Sequence, residues 1–252
     1  MRRPIFIGLC LSVFLFHVSC ASQYVLTAVQ YERLEVTSHY DEAPDAEAME
    51  IVAPYRKTVD SIMSPVLGES AVVMRADRPE SLLSNFVADV LRDASGHIGK
   101  KADMGLCNVG GLRSIMPQGK VTYGDVLEIS PFENHLCVVT LQGTKLKELM
   151  QQIAAVGGEG ISGARLVISS DGQLLSAKVR GEDIDEDALY TIATLDYLAE
   201  GNDRMYALKD AVSKQKTSIL VRELIMETIR NEYAKGHKVN AKIEGRIVVK
   251  EK

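Results

Sequence analysis

The chain has 252 residues, of which 46% are hydrophobic and 25% are charged, and its formal net charge is −5. The length fits one large domain or two small ones, and the apolar fraction can fill a core. Because the balance is acidic and no block of lysines and arginines occurs, a nucleic-acid-binding surface is not expected.

Residues 1–20 read as a signal peptide. Arg2 and Arg3 form a basic start, and Ile5–Phe16 is apolar but short for a transmembrane span. The following Val18-Ser19-Cys20-Ala21 resembles a bacterial lipoprotein signal, in which Cys20 becomes the lipidated first residue. His17 departs from that pattern, and the alternative is a secretory signal cut near Ala21. Either way we expect an exported protein of the bacterial cell envelope, periplasmic or surface-facing, that meets a membrane only through a lipid.

Residues 21–44 are predicted to be an N-terminal segment of strands and loop, and residues 45–252 the main domain. Alternating side chains predict two strands within Gln23–Glu35, followed by a polar loop over Thr37–Pro44. Asp45–Met63 is predicted to be an amphipathic helix with an inward apolar side formed by Met49, Val52, Val59 and Met63.

The main domain alternates irregularly between helices, hairpins and single strands. This order predicts an α+β fold with a mixed sheet and packed helices. The predicted strands are 68–74, 101–107, 135–142, 164–170, 174–179, 189–194 and 245–249, with a two-residue turn at Asp171-Gly172. The predicted helices are 81–95, 124–129, 143–156 and 213–235, with Ile219 and Leu220 on the apolar side of the last.

The stretch from Asn108 to Asn134 carries the most chemical information. Gly110 and Gly111 let backbone N–H groups approach a ligand, and Arg113 is a permanently charged clamp for anions. Phe132, beside Asn134 after a proline, offers a flat ring for a heterocyclic base. Taken singly, such a turn and such a ring are most often structural.

Taken together, these motifs resemble the C-terminal domain of the 5′-nucleotidase family. The matching segments are Asn108–Arg113, Thr122–Asp125, Pro131–Asn134, Thr194–Asp203 and Glu80–Asp89. They keep the family's order and span about Ile51 to Leu208. Two departures are Tyr197, where the family usually has phenylalanine, and Asn202 in place of a glycine.

The resemblance implies a nucleoside or nucleotide ligand and a role for each matching residue. Phe132 and Tyr197 would stack on the base, and Asn134 would assist near it. Asp203 would accept hydrogen bonds from the ribose, with Asn108 facing the sugar or the base edge. Arg113 would pair with the phosphate, and either Arg75 or Arg78 would be a second phosphate arginine.

Catalytic groups are not predicted in this chain. The family hydrolyses phosphate esters with two divalent metals, held by histidine-rich motifs of a separate metallophosphoesterase domain. After the signal only His39, His97, His135 and His237 remain, and none lies in such a motif. We therefore predict no catalytic residue, no metal ligand and no cofactor in this chain, with the metals expected on a partner.

Cys107 and Cys137 are either disulfide-bonded or buried free thiols.

The resulting hypothesis is a nucleotide-recognition domain of a split 5′-nucleotidase. It would position a nucleotide for phosphomonoester hydrolysis, a step of nucleotide catabolism, by a separate metallophosphoesterase chain. One alternative is a nucleoside- or nucleotide-binding protein without a catalytic partner. Another is a decayed domain that is kept as an interaction module.

Overall fold

The computed structural model describes residues 24–99 and 101–251. The predicted signal peptide and Cys20 lie outside the described residues. The chain divides into two units between Ile51 and Val52. No helix in the described part of the chain is both long enough and apolar enough to cross a membrane.

The prediction of two strands within Gln23–Glu35 is wrong for the residues that the structure describes. Residues 24–37 have no regular secondary structure, and a 3₁₀ helix, Ser38–Glu42, replaces part of the predicted loop. A strand is stable only when its backbone groups pair with a neighbour, and none of the described strands pairs with this stretch. Alternation of side chains was therefore an insufficient signal here.

The first long helix, α1, is confirmed as Ala46–Met63, but none of its residues is buried. The predicted inward side is therefore wrong: Met49, Val52 and Val59 are all exposed.

The main unit contains three sheets among the described residues. Their strands are β1 Val66–Ser70, β2 Met104–Cys107, β3 Gly119–Thr122, β4 His135–Gln142, β5 Gly160–Ser162, β6 Ala164–Ser169, β7 Leu174–Val179, β8 Glu182–Asp183, β9 Leu189–Leu195, β10 Ser213–Leu220 and β11 Ile247–Lys250. A two-stranded sheet pairs β1 with β3, and a four-stranded sheet has the order β11-β6-β7-β8. The central five-stranded sheet has the order β10-β4-β9-β2-β5, with β9 and β2 parallel and its other neighbours antiparallel. This arrangement confirms the predicted mixed sheet.

The core lies between the central sheet and the helices of the main unit. Strand β4 is a nearly continuous apolar run because both of its faces are covered, and Leu136, Val138 and Leu141 are almost completely buried. The helices are α2 Leu82–Ala94, α3 Tyr123–Ile129, α4 Gly143–Ala155, α5 Asp196–Ala199 and α6 Val221–Ala234. Thr122 caps α3 in a capping box with Asp125.

The predicted long helix Ser213–Lys235 is wrong in its first third. Ser213–Leu220 is strand β10, an edge strand antiparallel to β4, and only Val221–Ala234 is helical. Polar and charged residues such as Lys214 and Lys216 are compatible with a helix surface, but they also suit a sheet edge, which charged side chains protect from further pairing. The pairing with buried β4 decides between the two.

The predicted hairpin of β6 and β7 is present, but its turn is longer than predicted. Ser169 N donates to Gln173 O at 2.9 Å, so three residues rather than two form the loop. Gly172 has a φ of 81°, the left-handed conformation that closes a three-residue hairpin.

Candidate functional site

A cavity of about 280 Å³ opens where the central strands end. It is lined by seven residues that the sequence singled out: Asn108, Gly110, Gly111, Phe132, Asn134, Tyr197 and Asp203. Asn108 follows the last residue of β2, Asn134 precedes β4, and Tyr197 lies two residues after the end of β9. Because these strands are neighbours in one sheet, their ends bring segments far apart in sequence to one place.

Asn108, Asp203 and Tyr197 form a hydrogen-bonded chain across the cavity. Asn108 Nδ2 donates to Asp203 Oδ2 at 2.6 Å, and the Tyr197 hydroxyl donates to Asp203 Oδ1 at 3.0 Å. This second bond raises the pKa of Tyr197 above its ordinary value, as burial and the charge of Asp203 also do. Asp203 has a φ of 51°, a left-handed conformation uncommon outside glycine. The carboxylate is therefore held in one position before any ligand arrives.

The other atom of the Asn108 amide has no partner. Asn108 is 5% exposed, and its Oδ1 is buried without a hydrogen bond to any described residue. A Cβ at position 111 would lie 2.7 Å from this Oδ1, so glycine is needed there for Asn108 to keep its place. An unpaired buried acceptor is costly, which marks Asn108 as a candidate ligand-binding residue.

The two aromatic rings are both accessible. Phe132 is 48% exposed and Tyr197 is 41% exposed, although large apolar side chains are usually covered in a folded domain. Tyr197 is fixed at its backbone, where its carbonyl accepts from Asn202 Nδ2 at 2.8 Å. Asn202, which departs from the family pattern, thus ties the ring segment to the loop that carries Asp203.

The segment that carries Phe132 is held by the first turn of α6. Arg222 Nη1 donates to the carbonyl oxygens of Pro131 at 3.2 Å and Phe132 at 3.5 Å, and Val221 N donates to Asn134 O at 2.9 Å. The Arg222 side chain is only 15% exposed. Sequence reasoning missed this residue, because it placed Arg222 in the middle of a long helix.

Glu159 holds the turn that follows Asn108 and was also not identified from the sequence. Its carboxylate accepts from Val109 N and forms an ion pair with Arg78, whose Nε donates to Gly158 O at 2.7 Å. Burial raises the pKa of Glu159 above its ordinary value, and the nearby Asp203 charge adds to the rise, while Val109 N–H and Arg78 act against it. The donors of Arg78 are thus directed at the protein's own backbone and at Glu159.

The predicted phosphate arginines lie outside the cavity lining. Arg113 is exposed, and its Nη1 donates to Gly110 O at 3.1 Å, which places it beside the glycine turn. Arg75 is exposed as well. Of the three arginines, Arg113 is therefore the one next to the cavity with its charge open to solvent.

Two further features bear on the chemistry of the described residues. No group of three or more histidine, cysteine, aspartate or glutamate side chains among them is arranged to hold a metal ion. Cys107 and Cys137 are free and buried, which resolves the alternative between a disulfide and free thiols. Burial raises the pKa of both thiols, most strongly for Cys107.

Comparison with known proteins places this chain in a family. The family described as "5′-nucleotidase, C-terminal domain" matches residues 63–210. Endonuclease YhcR of Bacillus subtilis is 32% identical over 171 residues, which cover 65% of this chain and 14% of that protein. The trifunctional nucleotide phosphoesterase protein YfkN of the same organism is 26% identical over 85% of this chain and 16% of its own length.

A solved structure agrees with the sequence comparisons. The 5′-nucleotidase precursor from Thermus thermophilus superposes with a TM-score of 0.72 and 26% identity, over 81% of this chain and 43% of that one. The chain thus spans less than half the length of these relatives. Its matched residues include the whole cavity lining, and the chain belongs to the 5′-nucleotidase C-terminal domain family.

Proposed function

We propose that this chain recognises a nucleoside or nucleotide and positions it for phosphomonoester hydrolysis by a metallophosphoesterase carried on a separate chain. The observation that carries the proposal is the cavity of about 280 Å³ in which two half-exposed rings face a fixed carboxylate and two amides. Its size is near the lower end of the range for small-molecule sites, roughly 300–1,000 Å³.

The rings of Phe132 and Tyr197 bind the base in this proposal. Stacking on aromatic rings is favourable for any base, because every base has a π face. The amide of Asn134, at the same cavity, offers a donor and an acceptor to the polar edge of the base. Base selectivity then depends on the amides rather than on the rings.

Asp203 and Asn108 bind the ribose. Each carboxylate oxygen has two lone pairs, and each oxygen of Asp203 already accepts one bond within the protein. One acceptor position on each oxygen therefore remains for a ribose hydroxyl. The Tyr197 and Asn108 contacts fix the carboxylate in advance, which lowers the entropic cost of binding.

The phosphate is placed near Arg113, whose planar guanidinium suits phosphate oxygens. The family's divalent metals do not fit this chain, because the described residues offer no group of three suitable side chains and the sequence has no histidine motif of the required kind. The chain's own contribution is to orient the substrate and offset phosphate charge for the partner.

Export and anchoring are part of the same proposal and rest on the sequence of residues 1–21. A Cys20→Ser variant expressed in a bacterial cell is expected to move from the membrane fraction to the soluble fraction. If the variant stays with the membranes as the parent chain does, lipid anchoring through Cys20 is wrong.

Phosphate release from AMP in the presence of a divalent metal tests the split arrangement. The purified chain alone is expected to release none, and a metallophosphoesterase chain from the same cell is expected to act on AMP only when this chain is added. Phe132→Ala, purified in the same way, is expected to lower the stimulated kcat/KM about fivefold or more, since it removes a stacking contact of about 1–3 kcal/mol. Full turnover by this chain alone, lost in Phe132→Ala, would contradict the proposal; turnover equal in both preparations identifies a contaminating phosphatase.

A further inference from the structure

A second cavity, of about 300 Å³, is lined by four arginines. Arg92, Arg165, Arg180 and Arg246 surround it, together with Ser162, Gly163 and Glu244. Of these four guanidinium groups, that of Arg246 pairs with Asp89 and Glu244 and that of Arg180 pairs with Asp103, so the other two are the ones without a carboxylate partner among the described residues. No motif of the sequence indicates this cluster, because the four arginines lie on four separate segments.

We call this second cavity the arginine cavity, and the cavity lined by Asn108, Phe132 and Asp203 the nucleotide cavity. The two lie at opposite ends of the central sheet. Arg180 Nη1 is 3.0 Å from Asp103 Oδ1, and Asp103 immediately precedes β2, whereas Asn108 immediately follows that strand. Five residues of extended chain separate these two positions by about 16 Å. The two cavities are therefore too far apart to be parts of one binding site for a single small molecule.

Arg246 has a structural role in this cluster. Its guanidinium forms ion pairs with Asp89 and Glu244 at 2.8 Å each and also donates to Ile161 O, and its side chain is 11% exposed. Arg246 is therefore held in a fixed position at the cavity, and most of its N–H donors are already hydrogen-bonded within the protein. The capacity to bind a ligand must come from Arg92, Arg165 and the donors of Arg180 that its ion pair with Asp103 leaves open.

Arg92 and Arg165 have no carboxylate partner among the described residues. Arg92 makes one long hydrogen bond, from Nε to Ala102 O at 3.4 Å, and Arg165 Nη1 donates to the carbonyl oxygens of Glu244 at 2.6 Å and Gly245 at 3.2 Å. Each guanidinium has five N–H donors, so most of the donors of both side chains remain open. Two unpaired guanidinium groups at one cavity repel each other unless an anion joins them.

The backbone around the cavity is shaped to bring these groups together. Gly163 has a φ of 75°, and a Cβ there would lie 2.9 Å from Arg92 Cζ, so the guanidinium rests against the glycine. Arg180 N donates to Gly163 O at 2.8 Å, which joins the β7–β8 turn to the β5–β6 connection. Arg180 itself has a φ of 55°, an uncommon conformation for arginine that places its side chain at the cavity.

We propose that this cavity binds a small phosphate-bearing anion, with Arg92, Arg165 and Arg180 as its ligands. Planar guanidinium groups match the oxygens of phosphate in paired hydrogen bonds, and several around one cavity favour an anion with more than one negative charge. The site is separate from the nucleotide cavity and does not depend on the function proposed for it.

Calorimetric titration of the purified chain with inorganic pyrophosphate tests the proposal. The double variant R92Q/R165Q removes the two unpaired charges and is expected to weaken binding by roughly tenfold or more, the effect of losing charge-assisted contacts. The matched control R56Q/R230Q removes two exposed arginines outside the cavity and is expected to bind like the parent chain. Thermal unfolding of both variants checks that they fold.

The source of the phosphate group is distinguished by parallel titrations. Tighter binding of pyrophosphate than of glycerol phosphate identifies a free anion as the ligand, and tighter binding of glycerol phosphate identifies a phospholipid headgroup. Either result supports the site if R92Q/R165Q loses binding of the preferred compound. Phe132→Ala is expected to bind pyrophosphate normally. The proposal is overturned if the parent chain binds neither compound, or if R92Q/R165Q and R56Q/R230Q weaken binding equally, which is the result of non-specific attraction.

Discussion

The Asn108 amide and the Asp203 carboxylate, 95 residues apart in the chain, are joined by a hydrogen bond of 2.6 Å. The bond connects the turn after β2 to the loop after α5, and it orients the Asn108 amide so that its oxygen is the unpaired atom. Both groups belong to the cavity proposed to bind the ribose. Their contact offers a direct way to test whether the cavity is arranged as the structure describes.

Asn108→Asp is expected to place two carboxylates against each other. Like charges at this distance raise the pKa of one of them, so the folded state binds a proton more tightly than the unfolded state. The added stability of the protonated form is present at low pH and is lost as the pH rises through the raised pKa. Urea unfolding is therefore expected to show a larger loss relative to the parent chain at pH 8 than at pH 5. An equal loss at both values contradicts the contact.

Gly111→Ala is expected to displace Asn108, because the new Cβ would lie 2.7 Å from its Oδ1. Overpacking of this kind costs about 1–3 kcal/mol of unfolding free energy, and adenosine binding is expected to weaken with it. Gly110→Ala is the matched control, since a Cβ there has no atom within 4 Å. Equal unfolding free energies for the two variants in urea would show that the Asn108 position does not depend on Gly111.

Arg222→Met is expected to loosen the segment that carries Phe132, because the carbonyl oxygens of Pro131 and Phe132 lose their donor. The affinity for adenosine, measured by calorimetry, should fall by about fivefold to thirtyfold, the effect of roughly 1–2 kcal/mol. Glu133→Gln is the control. The Glu133 side chain is 81% exposed and its Oε1 lies 3.6 Å from Arg222 Nη2, so this carboxylate is solvent-exposed and removing its negative charge should change adenosine affinity little. A variant R222M that binds like the parent chain excludes a positioning role.

The ionised Asp196 carboxylate is expected to increase the free energy of unfolding at neutral pH and to lose this effect in acid. Burial alone raises its pKa, but Lys216 and the backbone N–H groups of His135 and Tyr197 outweigh burial and hold the pKa below its usual value. A lowered pKa gives stability that is present above the unfolded-state value of about 3.9 and is lost as the pH falls through the folded-state value. Asp196→Asn should therefore be less stable than the parent chain at pH 7, by about 1–2 kcal/mol, and the difference should shrink below pH 4. A pH-independent difference in urea unfolding would contradict this role.

Cys107 and Cys137 are expected to resist thiol reagents in the folded chain. Burial raises the pKa of each thiol, so little thiolate forms near neutral pH, and the side chains are 1% and 2% exposed. Mass spectrometry after treatment with iodoacetamide at pH 8 should find both unmodified in the native chain and both modified in urea. Rapid labelling of either residue in the native chain would mean that its strand opens readily.

The sequence predicted the elements whose signals are local. Strand β4 has the predicted bounds, His135–Gln142, because a buried central strand is apolar on both faces, and the start of α3 follows from the cap at Thr122. Strand β10 was missed because its polar residues fit two environments and only its pairing with β4 separates them. Residues 24–37 show the reverse error, since their alternation suits a strand but no described strand pairs with them.

The candidate site divides in the same way. Asn108, Phe132, Tyr197 and Asp203 were found because each belongs to a short motif of the family, and the structure brings them to one cavity. Their roles in binding stay predictions. Glu159 and Arg222 were missed because their partners, Val109 and Pro131, are 50 and 91 residues away, and only the fold brings them together.

Calorimetric titration of the purified chain with adenosine and with AMP tests whether the cavity is a nucleoside site. We expect micromolar binding that Phe132→Ala weakens by about fivefold or more, with AMP the tighter ligand because Arg113 adds a phosphate contact. Arg113→Gln should then remove the advantage of AMP and leave adenosine binding unchanged. Absence of binding to both ligands by the folded chain, or equal binding by Phe132→Ala, would contradict a nucleoside site in this cavity.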